Sequence, residues 1–185
     1  MRENSGIRDT FSVALDMARD LGRDKAGIVG YGISELRGPD GELKLVLPFA
    51  NLITDVGDAY YAARGIGTST GAGTPPTGMQ IGSGVTAVSK AGAGAATVTL
   101  LNGRAFDSAL TNNNLGTGLG VEIVHVCTYP AGTGTGTVQE AVITNGTIGT
   151  TSAAANTIAR ILTGAITKAA GDSLAITWRH KFLGA

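Results

Sequence analysis

The chain has 185 residues and a mass of 18.6 kDa, and its 14 basic residues balance 14 acidic ones. Charged residues make up 15%, against about 25% in an ordinary soluble domain, and the 29 glycines are roughly twice the usual share. There is no basic excess to neutralise phosphates, no apolar run of about 18 residues to span a membrane, and no apolar signal-peptide core in the opening MRENSGIRDT. Nucleic acid and membrane are therefore not expected partners, and the single cysteine permits neither an internal disulfide nor a cysteine-built zinc site.

Taken in chain order, residues 1–26 read as an N-terminal arm and 27–185 as one β-rich domain. In the arm, Phe11, Ala14, Leu15, Ala18 and Leu21 recur at the spacing of one helix face. Asp9 or Thr10 is placed to cap that helix, and Gly22 to end it. The apolar face is narrow, so the helix needs a surface to lie on. Gly27 to Arg37 and Glu42 to Phe49 then read as a hairpin around Gly38-Pro39-Asp40-Gly41, with Leu43, Leu45 and Leu47 alternating onto one face. Thr54 or Asp55 starts a short helix through Arg64, with Val56, Tyr60 and Ala63 on one side, and Gly65 stops it.

Residues 65–96 are rich in Gly, Ser, Thr and Ala, which predicts long surface loops with short strands at Met79–Gly82 and Val85–Val88. Asp107 to Gly120 reads as a further loop holding the polar run Thr111-Asn112-Asn113-Asn114. Val121 to Tyr129 carries apolar residues on both faces and reads as a central strand covered on both sides. Thr137 to Thr144, Thr157 to Ile166 and Ser173 to Leu183 follow as strands. In the last of these, Leu174, Ile176, Trp178 and Phe182 face one way. Short strands separated by Gly-rich turns predict a mainly β fold, an antiparallel sandwich of jelly-roll-like form with one short internal helix.

Reactive chemistry is poorly represented. The stretch GIGTSTGAG lacks the lysine of a phosphate loop and follows a helix instead of opening one. His125 lies two residues from Cys127, and His180 joins them only if its strand runs alongside; two buried imidazoles and a buried thiol are the simpler reading. Glu122 and Glu140, on strands expected to be neighbours, either perturb one another, or one or both pair with Arg160 or lie at an interface. An enzyme would need Glu122, Glu140 and His125 in one cleft. A sugar-binding surface would need exposed aromatics, for which Tyr31, Tyr60, Tyr61 and Tyr129 are the candidates. No catalytic, metal-binding or cofactor-binding residue is assigned, and the expectation is a non-enzyme without a cofactor.

Four pieces of the chain do form a pattern: Asn51 to Gly57, Met79 to Lys90, Glu140-Ala141, and Lys168 to Trp178. Together they resemble a group of tailed-bacteriophage virion structural proteins of the capsid decoration (cement) type, over about residues 48–183. The loop after Lys90, AGAGAATVTLLNGRAF, departs from that pattern, which tends to be acidic and arginine-bearing there. The resemblance implies a β-sandwich on the outer surface of the phage head, made in the host cytoplasm. It also implies the major capsid protein as partner and self-association as a homotrimer. On this view Phe11, Ala14, Leu15, Ala18 and Leu21 are the capsid tether. The alternative it leaves is a tail, baseplate or fibre-anchoring subunit carrying a receptor-binding loop.

Overall fold

The computed structural model describes residues 27–68, 73–117 and 120–183. In chain order these form β1 (Gly27–Arg37), β2 (Leu43–Ile53), α1 (Asp55–Gly65), β3 (Gly78–Gly82), β4 (Leu100–Ala105) and β5 (Thr111–Asn114). They continue as β6 (Val121–Tyr129), β7 (Gly136–Thr144), β8 (Thr157–Lys168) and β9 (Ser173–Leu183). The strands make one antiparallel sheet in the order β4-β3-β7-β8-β2-β1-β9-β6-β5. The fold is thus mainly β with one α-helix among the described residues, and the sheet curls into a half-barrel.

The curl has a local cause. β2 pairs with β8 only through Leu52–Arg160 and Ile53–Ala159, whereas it pairs with β1 along most of its length. The sheet therefore turns at this corner into two wings, β2-β1-β9-β6-β5 and β4-β3-β7-β8. Their far ends meet again: the Tyr129 hydroxyl on β6 donates to the Met79 carbonyl on β3 at 2.9 Å, and the Asp107 N–H donates to the Val126 carbonyl at 2.9 Å. The core fills the space between them, with Met79, Ile81, Ile143 and Ile161 from one wing and Leu36, Tyr129, Leu174, Ile176 and Trp178 from the other. Each such side chain stabilises the fold by about 1.5–3 kcal/mol relative to exposure.

Local chemistry explains the elements. The β1–β2 hairpin closes where expected, with the Gly38 N–H on Glu42 O and Gly41 at φ +82°. Thr54 caps α1, its hydroxyl accepting from the Gly57 N–H at 3.1 Å while donating to the carbonyls of Thr157 and Ile158. The helix buries Gly57 and Tyr61 most deeply; of the side expected from spacing, Val56 and Tyr60 are partly buried against the core and Ala63 is half-buried. Gly57 decides this: a Cβ there would stand 2.2 Å from Ile158 O, so only glycine lets the helix lie directly on β8.

Other expectations change. Val85–Val88 is not a strand; its backbone belongs to a long covering segment, residues 83–99. Two strands occupy expected loops: β4 pairs with β3, and the polar β5 pairs with β6. Both are edge strands, where pairing to a neighbour overrides weak local propensity. β6 is not covered on both sides by described residues. Its odd-numbered residues face the core, while Val124 and Val126 on its other face are partly exposed.

Candidate functional site

Residues 83–99 roof the outer face of β3-β7-β8, and one buried ion pair holds them. Glu140 on β7 and Arg160 on β8 are both fully buried, 2.7 Å apart. The Arg160 Nε and Nη2 both donate to Glu140 Oε2, and its Nη1 donates to the carbonyls of Thr86 and Gly94. The other carboxylate oxygen accepts the backbone N–H groups of Gly84, Val98 and Thr99 at 2.9–3.1 Å. Gln80 beside it donates to the carbonyls of Thr147 and Thr150 and accepts from Thr97 Oγ1 and the Ser152 N–H. Charges so desolvated are tolerated only with this degree of partnering. Arg160 is thus the partner of Glu140 that the sequence offered as one alternative.

Lys168 and Asp172 of the four-piece pattern also hold backbone. Lys168 is buried, its Nζ donating to the carbonyls of Asp172 and Pro130, and burial lowers its pKa. Asp172 accepts from Lys44 Nζ at 2.7 Å and from the Ala169 N–H, and the Lys44 bond leads in lowering its pKa. Lys90 pairs with Asp58 at the surface. The pattern marks the joints of this fold: the β2–α1 corner, the roof and the β8–β9 turn.

On the core face of the other wing, β9 does run alongside β6, and the His125 and His180 rings lie 4.9 Å apart. Both are fully buried. Tyr61 Oη is 2.6 Å from His180 Nδ1, while His180 Nε2 and both nitrogens of His125 lack a well-formed hydrogen bond. Burial drives the pKa of His125 down to about 4, partly offset by the Trp178 backbone, and drives that of His180 well down. Cys127 lies under the β4 end, its thiol pushed up to about 11 by burial. That is the wrong direction for a nucleophile. Among the described residues no group of three or more His, Cys, Asp or Glu side chains is placed to hold a metal ion.

Glu122 and Glu140 do not meet. The chain crosses from one wing to the other between β6 and β7, so β6 pairs with β5 and β9 while β7 pairs with β3 and β8. Glu122 sits on the outer face of its wing, accepting from Tyr31 Oη at 2.8 Å and from Arg179 Nη1 at 2.5 Å. Glu122, Glu140 and His125 therefore occupy three different faces. Of the aromatic candidates, Tyr31, Tyr61 and Tyr129 are buried; Tyr60 is half-buried, with Arg64 stacked 5.4 Å from its ring centre. An open recess of about 540 Å³ beside α1 is lined by Asp55, Val56, Thr74 and Asn145 among others. Thr74 Oγ1 is already engaged with Asn145 O, and among the described residues the recess presents no paired acid and base.

What stands open is the outer face of β2-β1-β9-β6. Register places Pro48, Ile33, Thr177 and Val126 in one row, and Ala50, Tyr31, Arg179 and Val124 in the next. Val46, Pro48, Ile33, Val124 and Val126 are all partly exposed, and no described element lies over them. Four strands span roughly 15 Å between the outermost two. The charged residues Glu35, Arg37 and Lys44 lie toward one end and Lys181 toward the other, with the apolar residues between them grouped around the Arg179–Glu122 pair. Alternation in β1 and β9 hinted at this face, but the expected burial of β6 concealed it.

The five arm residues Phe11, Ala14, Leu15, Ala18 and Leu21, with the rest of 1–26, lie outside the described residues. No helix among the described residues is long and apolar enough to cross a membrane. No family model matches the chain, and neither the curated proteins nor the solved structures contain a significant match to it.

Proposed function

We propose that this chain is a phage capsid decoration protein that binds the outside of the major capsid protein lattice and stabilises the head. The observation that supports it best is the open face of β2-β1-β9-β6, where partly exposed apolar residues surround the satisfied Arg179–Glu122 pair, in a molecule whose other buried pair, Glu140–Arg160, is spent on its own chain. The resemblance of Asn51 to Gly57, Met79 to Lys90, Glu140-Ala141 and Lys168 to Trp178 supplies the phage assignment. In the same reading the two wings are the layers of a jelly-roll-like sandwich, and the N-terminal helix carrying Phe11, Ala14, Leu15, Ala18 and Leu21 is the tether. Copies associate as a homotrimer, and the protein acts without a cofactor and not as an enzyme.

The mechanism is multivalent. Each copy needs only modest affinity, because a lattice of bound neighbours makes later contacts effectively intramolecular. Low charge keeps the desolvation penalty of such contacts small. Copy number in purified particles tests the reading. Near parity with the major capsid protein is expected; about three to twelve copies per particle would place the chain in a tail, baseplate or fibre instead. Removing residues 1–22 should leave a folded domain that attaches poorly, and unchanged attachment would refute the tether.

A further inference from the structure

The paired imidazoles under α1 have no part in the roof or the open face. His125 on β6 and His180 on β9 are diagonal neighbours on the core side of the sheet, with rings 4.9 Å apart and both side chains fully buried. The groups facing them can be named element by element. From α1 comes Tyr61, with its hydroxyl on His180 Nδ1 and its ring 5.6 Å from the imidazole. From the segment after β4 comes Phe106, 5.3 Å from His125. From β9 come Trp178 and Phe182, the latter 5.2 Å from Tyr61. β6 adds Cys127, one row along the same face. β1 offers only Gly30 and Gly32, over which lie Asn51 and Phe49 from β2. Among the described residues no carboxylate faces the pair. Glu122, adjacent in the ladder, points to the opposite face and is held by Arg179 and Tyr31.

We propose that His125 and His180 form an acid-sensitive latch: while both are neutral they seat α1 on the sheet through Tyr61, and their protonation drives α1 and Phe106 off and opens the core. A positive charge here faces no carboxylate among the described residues, and a second would stand beside the first. Anything that removes the protons restores the seat, so the latch is reversible.

The sign follows from linkage. A free histidine titrates near pH 6.5, whereas burial pushes folded His125 down to about 4 and folded His180 well below its ordinary value. The stabilisation is complete above the unfolded value and is lost as pH falls from about 6.5 toward 4, because the unfolded chain then binds two protons that the folded chain excludes. Between pH 6 and 5 the unfolding constant should rise up to about a hundredfold per pH unit, tenfold for each histidine. Asp172, whose pKa is lowered, loses its contribution only below the ordinary carboxylate range, so the two effects separate on the pH axis.

The test is urea unfolding of the full chain at several pH values, read by the fluorescence of its single tryptophan, Trp178. The wild type should show a slope well above tenfold per pH unit, and His125→Phe should lower it by about tenfold. A wild-type slope below tenfold, or an unchanged slope in His125→Phe, overturns the latch. If that variant does not fold, the imidazole proton resonances of the folded wild type decide. Signals that stay fixed from pH 7.5 to 5 support the latch, and titration near pH 6.5 in the folded state refutes it.

Discussion

The outer face of β3-β7-β8 and the outer face of β2-β1-β9-β6 belong to one continuous sheet and are treated in opposite ways. The first carries Glu140 and Arg160, which reach up and bind the seventeen residues of small-side-chain roof, 83–99, by backbone groups, and Gln80, which takes the Thr97 hydroxyl. The second carries Ile33, Pro48, Val124 and Val126, over which no described element lies, and its Arg179–Glu122 pair is closed on itself by Tyr31. A face that invests its charges in its own chain is finished. A face that leaves its apolar residues half-exposed around a satisfied pair keeps a surface for another molecule.

The largest effect should come from the finished face. Arg160→Met leaves Glu140 buried without its cation and frees Thr86 O and Gly94 O, so stability should fall by about 3–5 kcal/mol. Chemical denaturation measures it, and limited proteolysis within 83–99 should accelerate in parallel. Should the loss be under about 1 kcal/mol, the roof is held by something other than this pair.

Next in size is the helix seat. Gly57→Ala places a methyl 2.2 Å from the Ile158 carbonyl, and the shift it forces should cost about 1–3 kcal/mol in the same denaturation series. The smallest change in stability belongs to the open face. Val126→Asp or Ile33→Asp should change it by about 1 kcal/mol or less, because each side chain is already partly in water. Attachment to capsids in a sedimentation assay should nevertheless be lost. Equal attachment by both variants would remove this face as the contact.

How far sequence reaches depends on the range of the interaction. The β1–β2 turn, the Thr54 cap and the alternation of β9 are written within a few residues, so turn chemistry and period recover them. β5 was invisible because Thr111-Asn112-Asn113-Asn114 becomes a strand only by pairing with β6. The roof was invisible for a related reason. Glycines and alanines between 83 and 99 announce a loop, and nothing near them says that Glu140 and Arg160, some forty to seventy residues later, will fix it. Sheet order carries the remainder. Glu122 and Glu140 are near in sequence, yet the crossover between β6 and β7 sends them to different wings, and a catalytic pairing dissolves with it. His125 and His180 are far apart in sequence, and the β6–β9 ladder brings them together.

The contact surface itself can be mapped by hydroxyl-radical labelling of free subunit and of subunit bound to particles. Ile33, Val46, Pro48, Val124 and Val126 should become protected on attachment, while Val85 and Val98, exposed on the roof, keep their reactivity. Protection confined to the roof, with the open face labelled as strongly as in the free subunit, would contradict the assignment of that face to assembly.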